Sequence, residues 1–319
     1  MGGGDVRDQV NDDLAVLIPP RDRGAADQLA AAGPFVLDLL PDPRNITDEQ
    51  AVLVVRAAAR IAARWDNPTG AIEKILQYAV PGAPPRVINE LLEAWGRYGD
   101  YETYARDVLS QIDFSRFDVE LQNGRRTDHI SDLKSIVTLT LRNSVFDLTP
   151  LTELPRLRRL TLRDNDMTSL RTLPGVPSLR VLVLDRCARN AGARPVDLSP
   201  LRGTRISRLV IEGITTRVDL AGLPGVRLDS LRLESRPRDL DRLPAGRRVR
   251  HLSLVSGARR IRFDEVDDVR SVVLDSSPEA DLPAMTAALP DLRRLVLRQV
   301  PPDTPVPPLP GVRVTVCGS

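Results

Sequence analysis

Aromatic side chains make up only 3% of the 319 residues, although 42% of the chain is apolar. Its core must therefore be aliphatic, built from Leu, Val, Ile and Ala, which suits a repeat protein better than an enzyme with a ring-lined pocket. Cysteine is scarcer still. Cys187 and Cys317 are the only two, and neither sits in a CxxC, so a disulfide framework is excluded and a reducing, cytoplasmic setting is expected. The two histidines, His129 and His251, are too far apart for HExxH or for a Cys/His zinc cluster. The chain also lacks a GxxxxGK[ST] phosphate loop and a GxSxG nucleophile elbow. No apolar run approaches the roughly 18 residues that span a bilayer, and Met1-Gly2-Gly3-Gly4 does not open a secretory signal pattern. Together these absences lead us to expect a protein that is not an enzyme, holds no cofactor or metal, and does not enter a membrane.

Charge is balanced, with 45 basic against 43 acidic residues, so nothing pulls the whole molecule toward a polyanion. Lys74 and Lys134 are the only lysines, and arginine supplies the rest of the basic residues.

Residues 1–112 read as an all-α helical-repeat region, punctuated by Gly and Pro into about five helices. Thr47 and Gln50 form a capping-box pattern opening a helix through Arg64, whose inner stripe would hold Val52, Val55, Ala59 and Ala62. Asn67-Pro68 restarts the chain with Ile72, Ile75, Leu76 and Ala79. Pro84-Pro85 opens another helix with Val87, Ile88, Leu91, Leu92 and Trp95 on its inner side, and Gly99-Asp100 leads into a last one.

From residue 113 to 319 the pattern becomes a repeat, LxxLxL, starting at residues 136, 157, 179, 206, 228, 249, 269 and 292. Successive intervals are 21, 22, 27, 22, 21, 20 and 23 residues. A degenerate first turn reads Phe114, Phe117, Val119, and Val312-Val314-Val316 reads as a final strand, since end units of such arrays are atypical. Second halves of the units often read DLxxL, as at Asp147, Asp197, Asp219 and Asp239, where an Asp can accept free backbone N–H groups of a short turn. Frequent Leu-Pro steps predict 3₁₀ pieces there rather than full helices. The longest unit should bulge over residues 188–194.

The segment Leu157-Arg-Arg-Leu160-Thr-Leu162-Arg-Asp-Asn165-Asp-Met167 resembles the leucine-rich-repeat family, with Cys187 at the same Asn/Cys position one repeat later. The resemblance implies an α/β repeat solenoid: helices first, then a leucine-rich-repeat horseshoe whose parallel sheet is its concave face. The segment Glu90-Leu-Leu-Glu-Ala-Trp95-Gly-Arg-Tyr98-Gly-Asp100, followed by Tyr101, Tyr104 and Leu109 before the repeats, resembles the junction in bacterial NACHT-type NTPases, relatives of NOD-like receptors. That second resemblance implies the sensing half of a signalling or defence protein, its NTPase module separate or missing.

If the repeat leucines point inward, the residues between them project from the sheet. The column after the last leucine reads Arg142, Arg163, Asp185, Glu212, Glu234, Val255, Asp275, Arg298, and the column before it Thr140, Thr161, Val183, Val210, Arg232, Ser253, Val273, Val296. Exposed valines beside carboxylates would suit a protein partner, which places the candidate site at Val183, Asp185, Val210, Glu212, Arg232, Glu234, Val255, Val273 and Asp275. The flanking Arg142, Arg163 and Arg298 read as a solvated face. The alternative is a nucleic-acid scaffold using Arg158-Arg159, Arg247-Arg248, Arg259-Arg260 and Arg293-Arg294, against which stand the interspersed acids and the few aromatics.

Overall fold

The computed structural model describes residues 24–65, 68–122, 127–143, 147–165, 169–188, 195–213, 218–219, 223, 226–234, 247–255, 266–275, 282–299, 306 and 308–317. The chain divides into two compact units, residues 1–117 with 128–135, and residues 118–127 with 136–319.

The described part of the first unit is helical: α1 (Ala25–Ala32), α2 (Asp48–Trp65), α3 (Pro68–Leu76), α4 (Pro85–Trp95) and α5 (Tyr101–Asp107). Thr47 and Gln50 close the reciprocal capping box, Thr47 N donating to Gln50 Oε1 at 2.8 Å and Gln50 N to Thr47 Oγ1 at 3.3 Å. Helix α2 buries more than one stripe, because α1, α3 and α4 all pack on it. Ala51, Val54, Val55, Ala57, Ala58, Ala59 and Ile61 are buried, whereas Val52 and Ala62, expected inside, are only half-buried. In the next helical segment Ile75 and Ala79 are buried as expected, but Ile72 and Leu76 give way to Ala71 and Tyr78. On α4 all five expected positions, Val87, Ile88, Leu91, Leu92 and Trp95, are buried. Glu90 is buried beside them and takes a forked contact from Arg56, whose Nε and Nη2 lie 3.0 and 2.5 Å away. Trp95 Nε1 donates to Tyr101 O at 2.9 Å and Tyr104 Oη to Leu91 O at 3.0 Å, pinning α5 to α4.

The second unit is a leucine-rich-repeat solenoid. Its strands are β1 (Asp118–Gln122), β2 (Thr138–Arg142), β3 (Arg159–Arg163), β4 (Val181–Asp185), β5 (Val196–Asp197), β6 (Arg208–Glu212), β7 (Val218–Asp219), β8 (Leu228–Glu234), β9 (Arg247–Val255), β10 (Val266–Asp267), β11 (Ser271–Asp275), β12 (Arg294–Arg298) and β13 (Arg313–Cys317). The main sheet runs β1-β2-β3-β4-β6-β8-β9-β11-β12-β13, with β10 on β9, and every pairing in it is parallel. Each strand sits beside the strand of the next repeat, since a chain returning after 20 to 27 residues can only lay down a neighbouring parallel strand. The repeat leucines pair in register, Leu139 with Leu160, Leu160 with Leu182, Leu182 with Leu209, and on to Val272 with Leu295. Both strand leucines and the leading apolar residue of all eight repeats are buried. The first turn differs from the reading at Phe114, Phe117 and Val119. It is Val119 and Leu121 that pair with Leu139 and Leu141, so the register slips by two residues. A slip of two keeps the same side chains facing inward, which is why both readings satisfy the alternation.

The residue after β2, β3, β4, β6 and β12 adopts a left-handed conformation: Asn143 (φ 55°), Asp164 (54°), Arg186 (51°), Gly213 (78°) and Gln299 (51°). That bend turns the chain under the sheet, where Asn165 Nδ2 donates to Leu141 O at 2.9 Å and Cys187 Sγ lies 3.2 Å from Leu162 O. Asn165 and Cys187 are thus equivalent rungs, each on the carbonyl of the second strand leucine of the preceding turn. The far side carries 3₁₀ turns at Thr149–Glu153, Leu173–Gly175 and Ser199–Gly203. Asp147 accepts from Thr149 Oγ1 at 2.6 Å and Thr149 N at 2.9 Å, and Asp197 from Ser199 N and Oγ, both at 2.9 Å, and these bonds hold both carboxyls below the usual carboxylate range. One turn departs from the 3₁₀ expectation: α6 (Leu282–Ala288) is a short α-helix with Leu282 and Met285 buried, for which no Pro interrupts Ala284 to Ala288. Asp239 and all of 188–194 except the buried Ala188 lie outside the described residues.

Candidate partner-binding face

All nine predicted site residues lie on the sheet face opposite the leucines. The registers bring them into two adjacent columns: Val183 opposite Val210 and Asp185 opposite Glu212, then Val210 opposite Arg232, Glu234 opposite Val255, and Asp275 opposite Val255. Val273 stands opposite Ser253, which in turn faces Arg232.

Exposure along these columns is uneven, and this corrects the expectation of open valines beside open acids. Val183 and Val210 are each 4% exposed and Asp185 6%, whereas Glu212, Arg232, Glu234, Val255, Val273 and Asp275 are half-buried. The left part of the face is covered by its own charged side chains. Asp185 takes Arg163 Nε at 2.7 Å from directly across the strand pair, with Arg186 Nη1 at 3.7 Å. Asp164 takes Arg186 Nε at 2.7 Å and Nη2 at 3.0 Å, and Arg142 Nε at 3.3 Å. Bonding to Asp164 raises the Arg186 guanidinium's pKa further above its ordinary value. Arg142 and Arg163 are therefore not a merely solvated face. They stand opposite each other across β2 and β3, a repulsive arrangement relieved because each turns to a different carboxylate.

Asp164 and Arg186 were not among the residues singled out from the sequence, yet they form the centre of this network. A signal for them exists. Arg142 to Asp164, Arg163 to Asp185 and Asp164 to Arg186 are each 22 residues apart, one repeat length, so opposite charges at that offset mark neighbours across the sheet. Farther along, Arg232 Nε lies 3.4 Å from Glu212 Oε1. Around Ser253, Val255 and Val273 on β9 and β11, next to Arg232 and Glu234, the face is half-buried, and it opens further at the exposed Arg298, Thr315 and Cys317 on β12 and β13.

Among the described residues no group of three or more His, Cys, Asp or Glu side chains is placed to hold a metal ion, and no helix is long and apolar enough to cross a membrane. Cys187 is buried, and burial pushes its thiol up to about 12; Cys317 is exposed.

No protein-family model matches the chain, and no curated protein matches it. Among solved structures, the crystal structure of an internalin (inlF) from Listeria monocytogenes is similar with a TM-score of 0.32 and 10% identity, over 78% of this chain and 88% of that one. The leucine-rich-repeat fold of the second unit is accordingly established by the chain's own registers, with eight in-phase LxxLxL units on one parallel sheet.

Proposed function

We propose that this chain is a non-catalytic, cytoplasmic protein-binding module that engages its partner on the outer face of the repeat sheet, the concave face of a leucine-rich-repeat horseshoe. The observation that carries the reading is the continuous parallel sheet, which presents half-buried Val255, Val273 and Ser253 beside Arg232 and Glu234 without a break in register. Such a surface offers apolar area to bury with charges at its border to orient a partner. Val183, Asp185 and Val210 act as the floor beneath the ion pairs, and Glu212 and Asp275 border the open area. The reading extends to a place in a NACHT-like system, with this chain as the recognition half and an NTPase module elsewhere. Support for it is the paired α4 and α5, formed by the segment that resembles the NACHT junction and tied by Trp95 and Tyr104.

The test is affinity capture from nuclease-treated lysate of the source cells, comparing wild type with Ser253→Glu/Val273→Glu after circular dichroism shows equal folding. A protein partner lost in the variant is expected, and an NTPase among the captured proteins is expected from the NACHT-like reading. An unchanged partner set in the variant would sink the face assignment.

A further inference from the structure

The ends at which the strands begin carry a chemically different surface from the face. At several turns the residue just before the strand offers its carbonyl to two successive N–H groups of the next turn. Val137 O takes Arg158 N and Arg159 N at 2.9 and 3.1 Å, Arg158 O takes Arg180 N and Val181 N at 2.9 and 3.0 Å, and Arg270 O takes Arg293 N and Arg294 N at 3.0 and 3.1 Å. Arg313 N continues the ladder from Arg293 O at 2.9 Å. This ladder fixes arginines at one register position along the N-terminal rim of the sheet.

The rim carries four arginines over β3, β4 and β6 (Arg158, Arg159, Arg208 and the half-buried Arg180) and four over β11, β12 and β13. Arg270, Arg293, Arg294 and Arg313 are all exposed there, across two strand spacings of about 4.8 Å each. Arg294 stands directly opposite Arg313. Like charges in that position are destabilising. On β2 and β3 the equivalent repulsion between Arg142 and Arg163 is relieved by Asp164 and Asp185, but among the described residues no ion pair is found for Arg270, Arg293, Arg294 or Arg313. At the neighbouring turn the rim is neutralised, with Arg250 Nη1 3.2 Å from Asp229 Oδ1. Four exposed arginines whose main chain is fixed by these bonds, Arg294 and Arg313 in register across the strand pair and none ion-paired among the described residues, form a surface complementary to an anion-bearing partner.

Two classes of macromolecule bear such anions. Among the described residues of the second unit there is no Phe, Tyr or Trp, and the exposed His251 on β9 is the one ring at the rim, so a run of bases finds no series of rings on which to stack. Ser271, Asp229 and Ser207 interrupt the arginines and would not suit an unbroken phosphate chain. A short run of carboxylates matches both the cluster and its boundary at Asp229.

We propose that the N-terminal rim over β11 to β13 binds an acidic polypeptide segment, with Arg270, Arg293, Arg294 and Arg313 pairing its carboxylates. The proposal rests on the reading of the chain as a protein-binding module and assigns the chemistry of the partner. The probe is a fluorescein-labelled Glu-rich peptide, titrated into the full chain by fluorescence anisotropy at low and at physiological ionic strength. A single-stranded oligonucleotide of equal charge is titrated in parallel. Expected are saturable peptide binding that weakens as salt is raised, and a loss of about tenfold or more in affinity for Arg293→Glu/Arg294→Glu. That variant is expected to melt no lower than wild type, because Arg294→Glu converts the repulsion with Arg313 into attraction. The Ser253→Glu/Val273→Glu variant on the face is expected to bind the peptide as wild type does. Absence of peptide binding at low salt, equal binding by the rim variant, or tighter binding of the oligonucleotide would each overturn the proposal. A silent rim beside a capture result that depends on the face overturns the rim alone, and the reverse overturns the face alone.

Discussion

Asp164 accepts from two arginines that come from turns on either side of it, and it does so from a left-handed backbone position with φ of 54°. Its side chain is 6% exposed while Arg142 and Arg186 remain 38% and 39% exposed, so the pair gains less than a fully buried one and loss of the carboxylate lets both arginines hydrate. Asp164→Ala is expected to lower stability by about 1–2 kcal/mol in urea denaturation, and Asp164→Asn, which tolerates the left-handed bend and keeps an acceptor, by less. Equal losses for the two would show that charge and backbone conformation contribute nothing separable. The same scale holds a prediction for the thiols. Burial keeps Cys187 protonated up to about pH 12, while Cys317 is exposed. A native titration with an aromatic disulfide reagent at pH 8 is expected to release one equivalent quickly and the second only on denaturation; two fast equivalents would contradict the buried ladder position of Cys187.

Elements of the first unit were legible where a local rule and burial agree. The Thr47–Gln50 capping box and the inner side of α4 follow from sequence, because a cap bonds within one turn and α4 buries a stripe of the usual width. The stripe on α2 was only partly legible, because a helix covered by three neighbours buries residues all round and its small alanines carry no phase. The slip in the first turn has a related cause, since Phe117-Asp-Val119-Glu-Leu121 alternates equally well in two positions and only pairing with Leu139 and Leu141 decides between them. Helix packing in this unit also sets an alkaline limit. Burial raises the pKa of Tyr98 to about 12 and moves Tyr78 and Tyr104 in the same direction, Tyr78 Oη donating to Pro41 O at 2.6 Å. A phenol whose folded pKa lies above its unfolded value contributes stability that is whole below pH 10 and lost as pH rises through the folded value. The melting temperature is therefore expected to fall progressively between pH 10 and about 12, with phenolate absorbance at 295 nm appearing together with unfolding. Full ionisation of these tyrosines at pH 10 in a folded chain would contradict their burial.

At the scale of the whole molecule the repeat was the most legible feature, because eight phased units repeat one signal and each reinforces the register of the next. The candidate face was legible in position and not in exposure: alternation tells which side chains leave the core, but whether Val183 and Val210 meet solvent depends on arginines arriving from other turns. The ion pairs move the open surface away from Asp185 toward β9 and β11, and over β11 to β13 the described rim arginines form no ion pair among the described residues, so the two surfaces differ in chemistry although one repeat builds both. The most direct test of the central claim places a photo-crosslinking benzophenone side chain at Ser253 on the face and, separately, at the exposed Arg202 in the 3₁₀ turn on the far side, with irradiation in nuclease-treated lysate of the source cells. The account predicts a protein adduct from position 253 that is absent at position 202. Adducts from position 202 with none from 253 would contradict it and place recognition on the turns.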